Sequence, residues 1–266
     1  MKKIIVITGA SSGMGKDFAL QLANEYKDAE LWLIARRVEK LETLSKEIET
    51  LGAKAKAISL DLSGRKGASE FQKLLANENE KEAFTISLLV NNAGFGTYGP
   101  FAETEIDREL DMIDLNCTSL VALCSYAIPF MEKGSAIINT ASLASFLPLG
   151  NFAVYGATKS FVLSFSIAIA AELKGRGIHV CALCPGPVST EFADVASNGV
   201  RKEVKHGLPS DKVVAHCLKK VKQKKHIAIM AFKWKFKAFA SRFVGRYAGA
   251  WFTYVFCKRP YKKGDE

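Results

Sequence analysis

Tyr155 and Lys159 stand four residues apart in the run 152–173, whose apolar spacing predicts a helix. At that separation both side chains leave one face of the helix. A free tyrosine titrates near ~10, too high for proton transfer at neutral pH. A lysine cation beside it favours the phenolate and lowers that pKa, which makes Tyr155 a candidate general acid/base. The pair alone is a weak signal. It is sharpened by Ser142, thirteen residues earlier at the end of a predicted strand, because the serine and the tyrosine then meet at one sheet edge.

A second group lies at the start of the chain. Thr8-Gly9-Ala10-Ser11-Ser12-Gly13-Met14-Gly15 joins a predicted strand to a predicted helix. Glycines let such a turn approach a pyrophosphate closely, and the helix N-terminus then faces the anion. The second predicted strand ends in Ala35-Arg36-Arg37. An acid at that point binds a ribose 2′-hydroxyl, whereas a guanidinium fork suits a 2′-phosphate. Arg36 and Arg37, with Ala35 in the acid's place, therefore favour NADP(H) over NAD(H).

The elements that must position these groups can be read from periodicity. Short apolar runs at 3–7, 31–35, 54–60, 87–90, 136–139 and 178–183 read as strands, with 226–230 a candidate seventh. Helical patterns fill the gaps; Leu41, Leu44, Ile48 and Leu51 repeat at helical spacing and stop at Gly52. This alternation predicts an α/β chain: one Rossmann-type, doubly wound domain with a parallel sheet of about seven strands flanked by helices. Right-handed crossovers then gather the loops after the strands along one edge, where a ligand lies.

With these motifs assembled, the chain resembles the short-chain dehydrogenase/reductase family over roughly residues 1–230. The resemblance is carried by residues 8–15, Asp61-Leu62, Asn91-Asn92-Ala93-Gly94, Asn116, Ser142, Tyr155-Gly156-Ala157-Thr158-Lys159 and Pro185-Gly186-Pro187-Val188-Ser189-Thr190, all in family order. It implies a catalytic tetrad of Asn116, Ser142, Tyr155 and Lys159. Tyr155 would exchange a proton with the substrate oxygen and Ser142 would hold that oxygen. Lys159 would bind the nicotinamide ribose and tune Tyr155, and Asn116 would organise a helix bend and a proton relay to Lys159. For the cofactor it implies Gly9, Ser11, Ser12, Gly13, Met14, Gly15, Arg36, Arg37, Asp61, Leu62, Asn92, Ala93, Gly94, Pro185, Gly186, Val188 and Thr190, beside the tetrad. Asp61 and Leu62 would face the adenine. Phe95, Tyr98, Leu143, Phe146, Leu149, Phe152 and Phe192 are the candidate substrate liners. Their apolar character points to a small lipophilic ketone or alcohol, a hydroxysteroid or bile acid first and a long-chain 3-oxoacyl or other lipid carbonyl second. A different class stays open, a non-catalytic NADPH-binding regulator; the intact tetrad argues against it. Residues 188–209 are expected to form a substrate lid.

Charge sets the tail apart. The chain carries a formal +10, yet residues 201–266 hold 18 Lys/Arg against 4 Asp/Glu, while residues 1–200 hold 19 against 23. We therefore expect a catalytic domain over 1–232 and a basic, aromatic-rich extension over 233–266. Phe239, Phe243, Tyr247 and Trp251 have the spacing of one helical face. Three readings stand for the extension: packing on the body or a second subunit, a peripheral membrane contact, or a cap over the substrate cleft. No nucleic-acid module is visible. Apolar residues on several faces of the central helices, such as Leu120, Leu123, Phe161 and Phe165, predict a homodimer or homotetramer. Cys181 and Cys184 form a CxxC inside a strand without a second ligand pair, so no metal is expected. No secretion signal and no apolar stretch of spanning length is evident, and the expected location is cytoplasmic, with peripheral membrane association through the extension.

Overall fold

The computed structural model describes residues 1–202, 204 and 207–262. Its strands are β1 (Lys2–Thr8), β2 (Ala29–Ala35), β3 (Lys54–Ser59), β4 (Phe84–Asn91), β5 (Ala136–Thr140), β6 (His179–Leu183), β7 (Val188–Ser189), β8 (Leu208–Pro209) and β9 (Ile227–Ala228). Its α-helices are α1 (Gly13–Glu25), α2 (Val38–Thr50), α3 (Gly64–Lys81), α4 (Ile106–Ile113), α5 (Leu120–Ala127), α6 (Ala153–Glu172), α7 (Phe192–Ala196), α8 (Ser210–Lys222), α9 (Phe232–Ala240) and α10 (Arg246–Phe256). Seven strands form one parallel sheet in the order β3-β2-β1-β4-β5-β6-β9. The order reverses between β1 and β4, and the crevice at that switch point is where such a sheet takes a ligand.

Both faces of the sheet are buried, so its strands are continuous rather than alternating apolar runs. Ile5, Ile7, Leu31, Leu33, Val90 and Ile138 pack on one side with Phe18 and Leu22 of α1 and Val213 and Val214 of α8. Ile4, Val6, Trp32, Ile34 and Ile137 pack on the other with Phe71 of α3, Leu123 of α5 and Val162 of α6. A third, smaller cluster gathers around Tyr155. The core strands coincide with the apolar runs of the sequence; β9 is shorter than the run 226–230, because only Ile227 and Ala228 reach β6.

Four expectations need correction. Leu120 and Leu123 are core residues, 6% and 2% exposed, so they offer no outer face. The outer apolar residues are instead Ile106, Leu110 and Ile113 on α4 and Phe161 and Ile167 on α6. The continuous helical runs Ile106–Phe130 and Ala153–Arg176 are also long and apolar enough to cross a membrane by composition, contrary to the sequence reading; both lie against the sheet. The C-terminal aromatics do not form one helix, because the chain turns through Ser241–Phe243, Val244 and Gly245 between α9 and α10. Nor are they buried within the protomer: Phe239, Phe243, Tyr247 and Trp251 are all exposed. In the expected lid, β7 and β8 pair and α7 lies between them. Glu203, Lys205 and His206 of that lid, and residues 263–266 of the extension, lie outside the described residues.

Candidate active site

The end of β1 runs into a turn that only glycine permits. Gly9 and Gly13 have φ of 65° and 51°, and a Cβ on Gly15 would come within 2.1 Å of the Gly9 carbonyl oxygen. The turn is tied to the next strand end by Thr8, whose hydroxyl accepts from the backbone N–H groups of Asn92 and Ala93 at 2.9 and 3.0 Å. The Asn92 amide donates to the Thr8 carbonyl at 3.2 Å. Gly94 is held close as well: a Cβ there would meet Asn116 Oδ1 at 2.5 Å and Lys159 Nζ at 3.5 Å.

The helix after β4 contains a wider, π-helical turn at Asp114–Ser119. A π-turn adds one residue to the helical circuit and re-aims the side chains within it. Here it presents Asn116 to the backbone of Phe95. The Asn116 amide donates to the Phe95 carbonyl at 2.9 Å and its Oδ1 accepts from the Phe95 N–H at 3.1 Å. It also donates to the Thr158 hydroxyl at 3.2 Å. Asn116 therefore clamps the loop after β4 to α6.

Ser142 follows β5, and Tyr155 and Lys159 lie near the start of α6. Lys159 is buried and donates to the Thr140 carbonyl at 2.7 Å. Its Nζ lies 5.7 Å from the centre of the Tyr155 ring. Burial draws its ammonium down to about 8, opposed by the nearby Cys117 and Cys184. Burial also pushes the Tyr155 phenol up from its ordinary value; a hydrogen bond with Ser142 and the Arg259 guanidinium pull the other way. The lysine does not offset that burial in the protein by itself, which corrects the expectation drawn from spacing. Ser142 further accepts from the Ala144 N–H at 3.1 Å, which fixes its side chain.

Tyr155 sits in an aromatic box. Its ring stacks on Phe152 at 4.1 Å and 17°, and Phe192 of α7 lies 5.4 Å away. Tyr98 meets Phe152 edge-on at 4.8 Å. Phe95 and Leu149 pack against the same cluster. Leu143 and Phe146 do not: they pack on the main core beneath the sheet edge, so they leave the list of liners. Leu62 likewise is turned into the core, while Asp61 is exposed and accepts from the Ser63 N–H at 3.0 Å.

Several contacts were not visible in the sequence. Arg37 donates to Ser11 and Ser12 and to the Glu191 carboxylate, the last at 2.9 Å. Lys40 reaches the other oxygen of Glu191, also at 2.9 Å. Burial works against this carboxylate, but hydrogen bonds from Lys40, Arg37 and Ser12 outweigh it and hold it at about 2. Glu191 is thus an anion seated between Arg37, Lys40 and the glycine-rich turn. That donor set fits a phosphate at the same place, and Lys40 joins Arg37 there. Arg36 is exposed, and its carbonyl accepts from Ser59 at 3.2 Å. Thr190 covers Gly13: a Cβ on that glycine would meet its Cγ2 at 3.1 Å. Trp234 lies over Gly186, 2.7 Å from where a Cβ would stand. Pro185 accepts from the Leu143 N–H at 2.8 Å, and Val188 is buried in β7. Arg259 stacks over Phe152 at 4.9 Å and Tyr98 at 5.8 Å. Trp234 and Arg259 come from the extension, whose contacts no local pattern announces.

Residues 3–200 match the short chain dehydrogenase family. The chain belongs to that family, and it is an oxidoreductase of carbonyl and alcohol groups. It is 34% identical over 181 residues to a very-long-chain 3-oxoacyl-CoA reductase of Aspergillus niger, covering 66% of this chain and 51% of that one. The chain therefore spans about half the length of that relative. It is 33% identical over 206 residues to a serine 3-dehydrogenase of Rhizobium radiobacter, covering 75% and 77%. Among solved structures, a short-chain dehydrogenase from Sphingobium yanoikuyae in complex with NADPH superposes with a TM-score of 0.78 at 27% identity, covering 90% of this chain and 93% of that one. A bulky-bulky ketone specific alcohol dehydrogenase from Comamonas testosteroni gives 0.72 at 26% identity, with 90% and 92% covered.

Proposed function

We propose that the protein is a cytoplasmic, NADP(H)-dependent oxidoreductase that interconverts a ketone and a secondary alcohol on a lipophilic substrate. The observation that carries this is Tyr155. Its hydroxyl shares a hydrogen bond with Ser142, at the sheet edge, inside a box of Phe95, Tyr98, Leu149, Phe152 and Phe192. Gly9, Ser11, Ser12, Gly13, Met14 and Gly15 would hold the cofactor's pyrophosphate side, with Asp61 beside the adenine. Arg37 and Lys40 would take its 2′-phosphate in place of Glu191. Asn92, Ala93, Gly94, Pro185, Gly186, Val188 and Thr190 would border the nicotinamide side. Bound there, the cofactor supplies or accepts the hydride.

The chain's own residues do the rest. Tyr155 delivers a proton from its phenol oxygen to the substrate oxygen in reduction and takes it back in oxidation. Burial, which raises this phenol, favours the proton-donating, reductive direction and opposes the phenolate that oxidation needs. Ser142 donates to the same oxygen as negative charge develops. Lys159, with a pKa near neutrality, restores the proton, and Asn116 fixes the loop and helix that bracket it. The aromatic walls exclude water and select an apolar substrate.

Two lipid classes suit the apolar lining of the box. A long-chain 3-oxoacyl group is favoured by the curated relative; a hydroxysteroid or bile acid is favoured by the flat stacked wall of Phe152 and Tyr155. All six cysteines are unpaired, which suits a reducing compartment. The exposed apolar faces of α4 and α6 support a homodimer or homotetramer. The test is NADPH oxidation followed by absorbance with 3-oxoacyl thioesters, ketosteroids, oxo-bile acids and a water-soluble aryl ketone. Turnover is expected on at least one lipid carbonyl, with Tyr155→Phe slower by ~10²–10⁴-fold. No turnover on any carbonyl, with NADPH bound, would sink the enzymatic reading.

A further inference from the structure

The surface of the extension is unlike that of the body. Phe232, Phe236, Phe239 and Phe243 are 81%, 58%, 56% and 77% exposed, and Tyr247, Trp251, Phe252 and Phe256 are 81%, 56%, 57% and 71% exposed. Soluble monomers rarely display so large an apolar patch without a partner. The exposure follows helical geometry. On α9, Phe232, Phe236 and Phe239 share one face, and Trp234 and Ala238 lie opposite, against the body. On α10, Gly249 and Thr253 face inward, and Tyr247, Trp251 and Phe252 face out. Each helix thus has a docked underside and an aromatic upper side.

Charge frames this upper side. Lys235 flanks the phenylalanine face of α9, Lys233 and Lys237 reach back over the Trp234 ring at 4.8 and 4.9 Å, and Arg242 and Arg246 stand at the turn between the helices. No Asp or Glu occurs anywhere in residues 212–264. A two-fold pairing of copies through this face would set these cations against each other, since such an interface meets itself. Anionic headgroups complement them, while the aromatic rings enter the boundary between headgroup and acyl chain.

We propose that α9, the turn and α10 form a docking surface for an anionic phospholipid bilayer. Docking there also positions the substrate entrance. The underside of α10 rests on the loop before Tyr155: Gly249 meets Leu147, Thr253 accepts from the Gly150 N–H at 2.9 Å, and Asn151 donates to the Tyr254 carbonyl at 2.9 Å. Arg259, just beyond α10, lies on Phe152 and Tyr98 of the aromatic box. A protein seated by its extension therefore holds the cover of its aromatic box at the lipid surface, and a lipophilic carbonyl enters from the bilayer when Arg259 leaves Phe152 and Tyr98. This second step rests on the proposed reaction; the docking itself does not.

The experiment is co-sedimentation of the full chain with vesicles of phosphatidylcholine alone and of equimolar phosphatidylcholine and phosphatidylglycerol. Trp251 emission is read in parallel, since Trp32 is buried and Trp234 packs on the body. Binding is expected on the anionic vesicles only, weakened by salt, with a blue shift that Trp251→Tyr removes. Two variants, Phe236→Ser/Phe239→Ser/Phe243→Ser and Lys235→Glu/Arg242→Glu/Arg246→Glu, should each weaken binding about a hundred-fold. All six positions are exposed, and circular dichroism checks that the fold is kept. No binding, equal binding to neutral vesicles, or unchanged binding in both variants would overturn the proposal. So would a fall in oligomeric mass in the aromatic variant without vesicle binding, because the face would then be a subunit contact. With docking present, both variants should lose turnover of a vesicle-borne ketone and keep that of a water-soluble one. Docking without turnover of any ketone would refute the proposed reaction and leave the docking standing.

Discussion

Tyr155 and Lys159 are both buried, and the few polar groups around them, the Thr140 carbonyl at the ammonium and Ser142 and Arg259 at the phenol, do not make up for the lost water, so each favours its neutral form. The phenol is pushed up and the ammonium is drawn down to about 8. This gives a linkage with a definite sign. Between about 8 and the unfolded lysine value near ~10.4, the unfolded chain binds the extra proton and the folded chain does not, so Lys159 adds a rise of stability with pH across that window. This rise is set against the fall contributed by the thiols of Cys117, Cys124, Cys184 and Cys217, which are raised, at Cys217 by a hydrogen bond with Cys181 and burial and at the others by burial. Lys159→Met should remove this rise, a difference of at most about 3 kcal/mol. Urea unfolding of parent and variant at two pH values inside and below the window measures it. An identical pH slope in both would show that the lysine is solvated in the folded protein. The spacing of Tyr155 and Lys159 made their meeting legible, but not the sign of the shift. Sign depends on how deeply each is buried, which Phe152, Phe192 and the Thr140 carbonyl decide from other elements.

At the scale of elements, the sheet and its central helices were legible because each strand is an apolar run and each helix repeats at its own period. The segment between β7 and β8 was not. It is anchored by Glu191, which crosses to Arg37 and Lys40 on α2 and its entry, more than a hundred and fifty residues away. Glu191 immediately precedes α7, whose Phe192 touches Tyr155. One carboxylate thus ties the phosphate end of the cleft to the substrate end. An incoming 2′-phosphate competes with it for the same cations, so Glu191→Gln should tighten NADPH several-fold and leave NADH almost unchanged. Fluorescence titration with both nucleotides decides this; an equal gain for the two would mean that the tie only rigidifies the loop. Because the folded pKa is depressed to about 2, the tie is fully present above the unfolded value near ~4.3 and is lost as pH falls toward 2. The competition should therefore not vary between about pH 7 and 9, above the second ionisation of the phosphate near ~6.

The molecule carries two distinct exposed apolar surfaces, and the proposed assembly uses one of them and leaves the other free. One is the outer side of α4 and α6, with Leu110, Ile113, Phe161 and Ile167. The other is the aromatic side of the extension. The first has no cationic frame; Asp107, Asp111 and Asp114 are exposed beside its α4 residues, so a two-fold pairing through it would set Phe161 and Ile167 at the centre and leave these carboxylates at the solvated rim. Stable interfaces of this kind remove roughly 800 Å² per partner from water, and two adjacent helices of these lengths supply an area of that order. A charge placed at the centre of such a face is buried unpaired on association and opposes it strongly. Phe161→Glu/Ile167→Glu should therefore yield monomer by light scattering at micromolar concentration, with the fold intact by circular dichroism. Removing residues 233–266 should do the reverse: the oligomer persists, because α4 and α6 are untouched. That truncation also lifts Trp234 from Gly186 and Arg259 from Phe152, so the body should lose on the order of 3 kcal/mol, a fall of about 5–10 °C in Tm. It should remain folded, since the extension adds no strand to the seven-stranded sheet. If the truncated chain were monomeric while Phe161→Glu/Ile167→Glu kept the parent mass, the subunit contact would lie on the extension and the assignment of the two surfaces would be reversed.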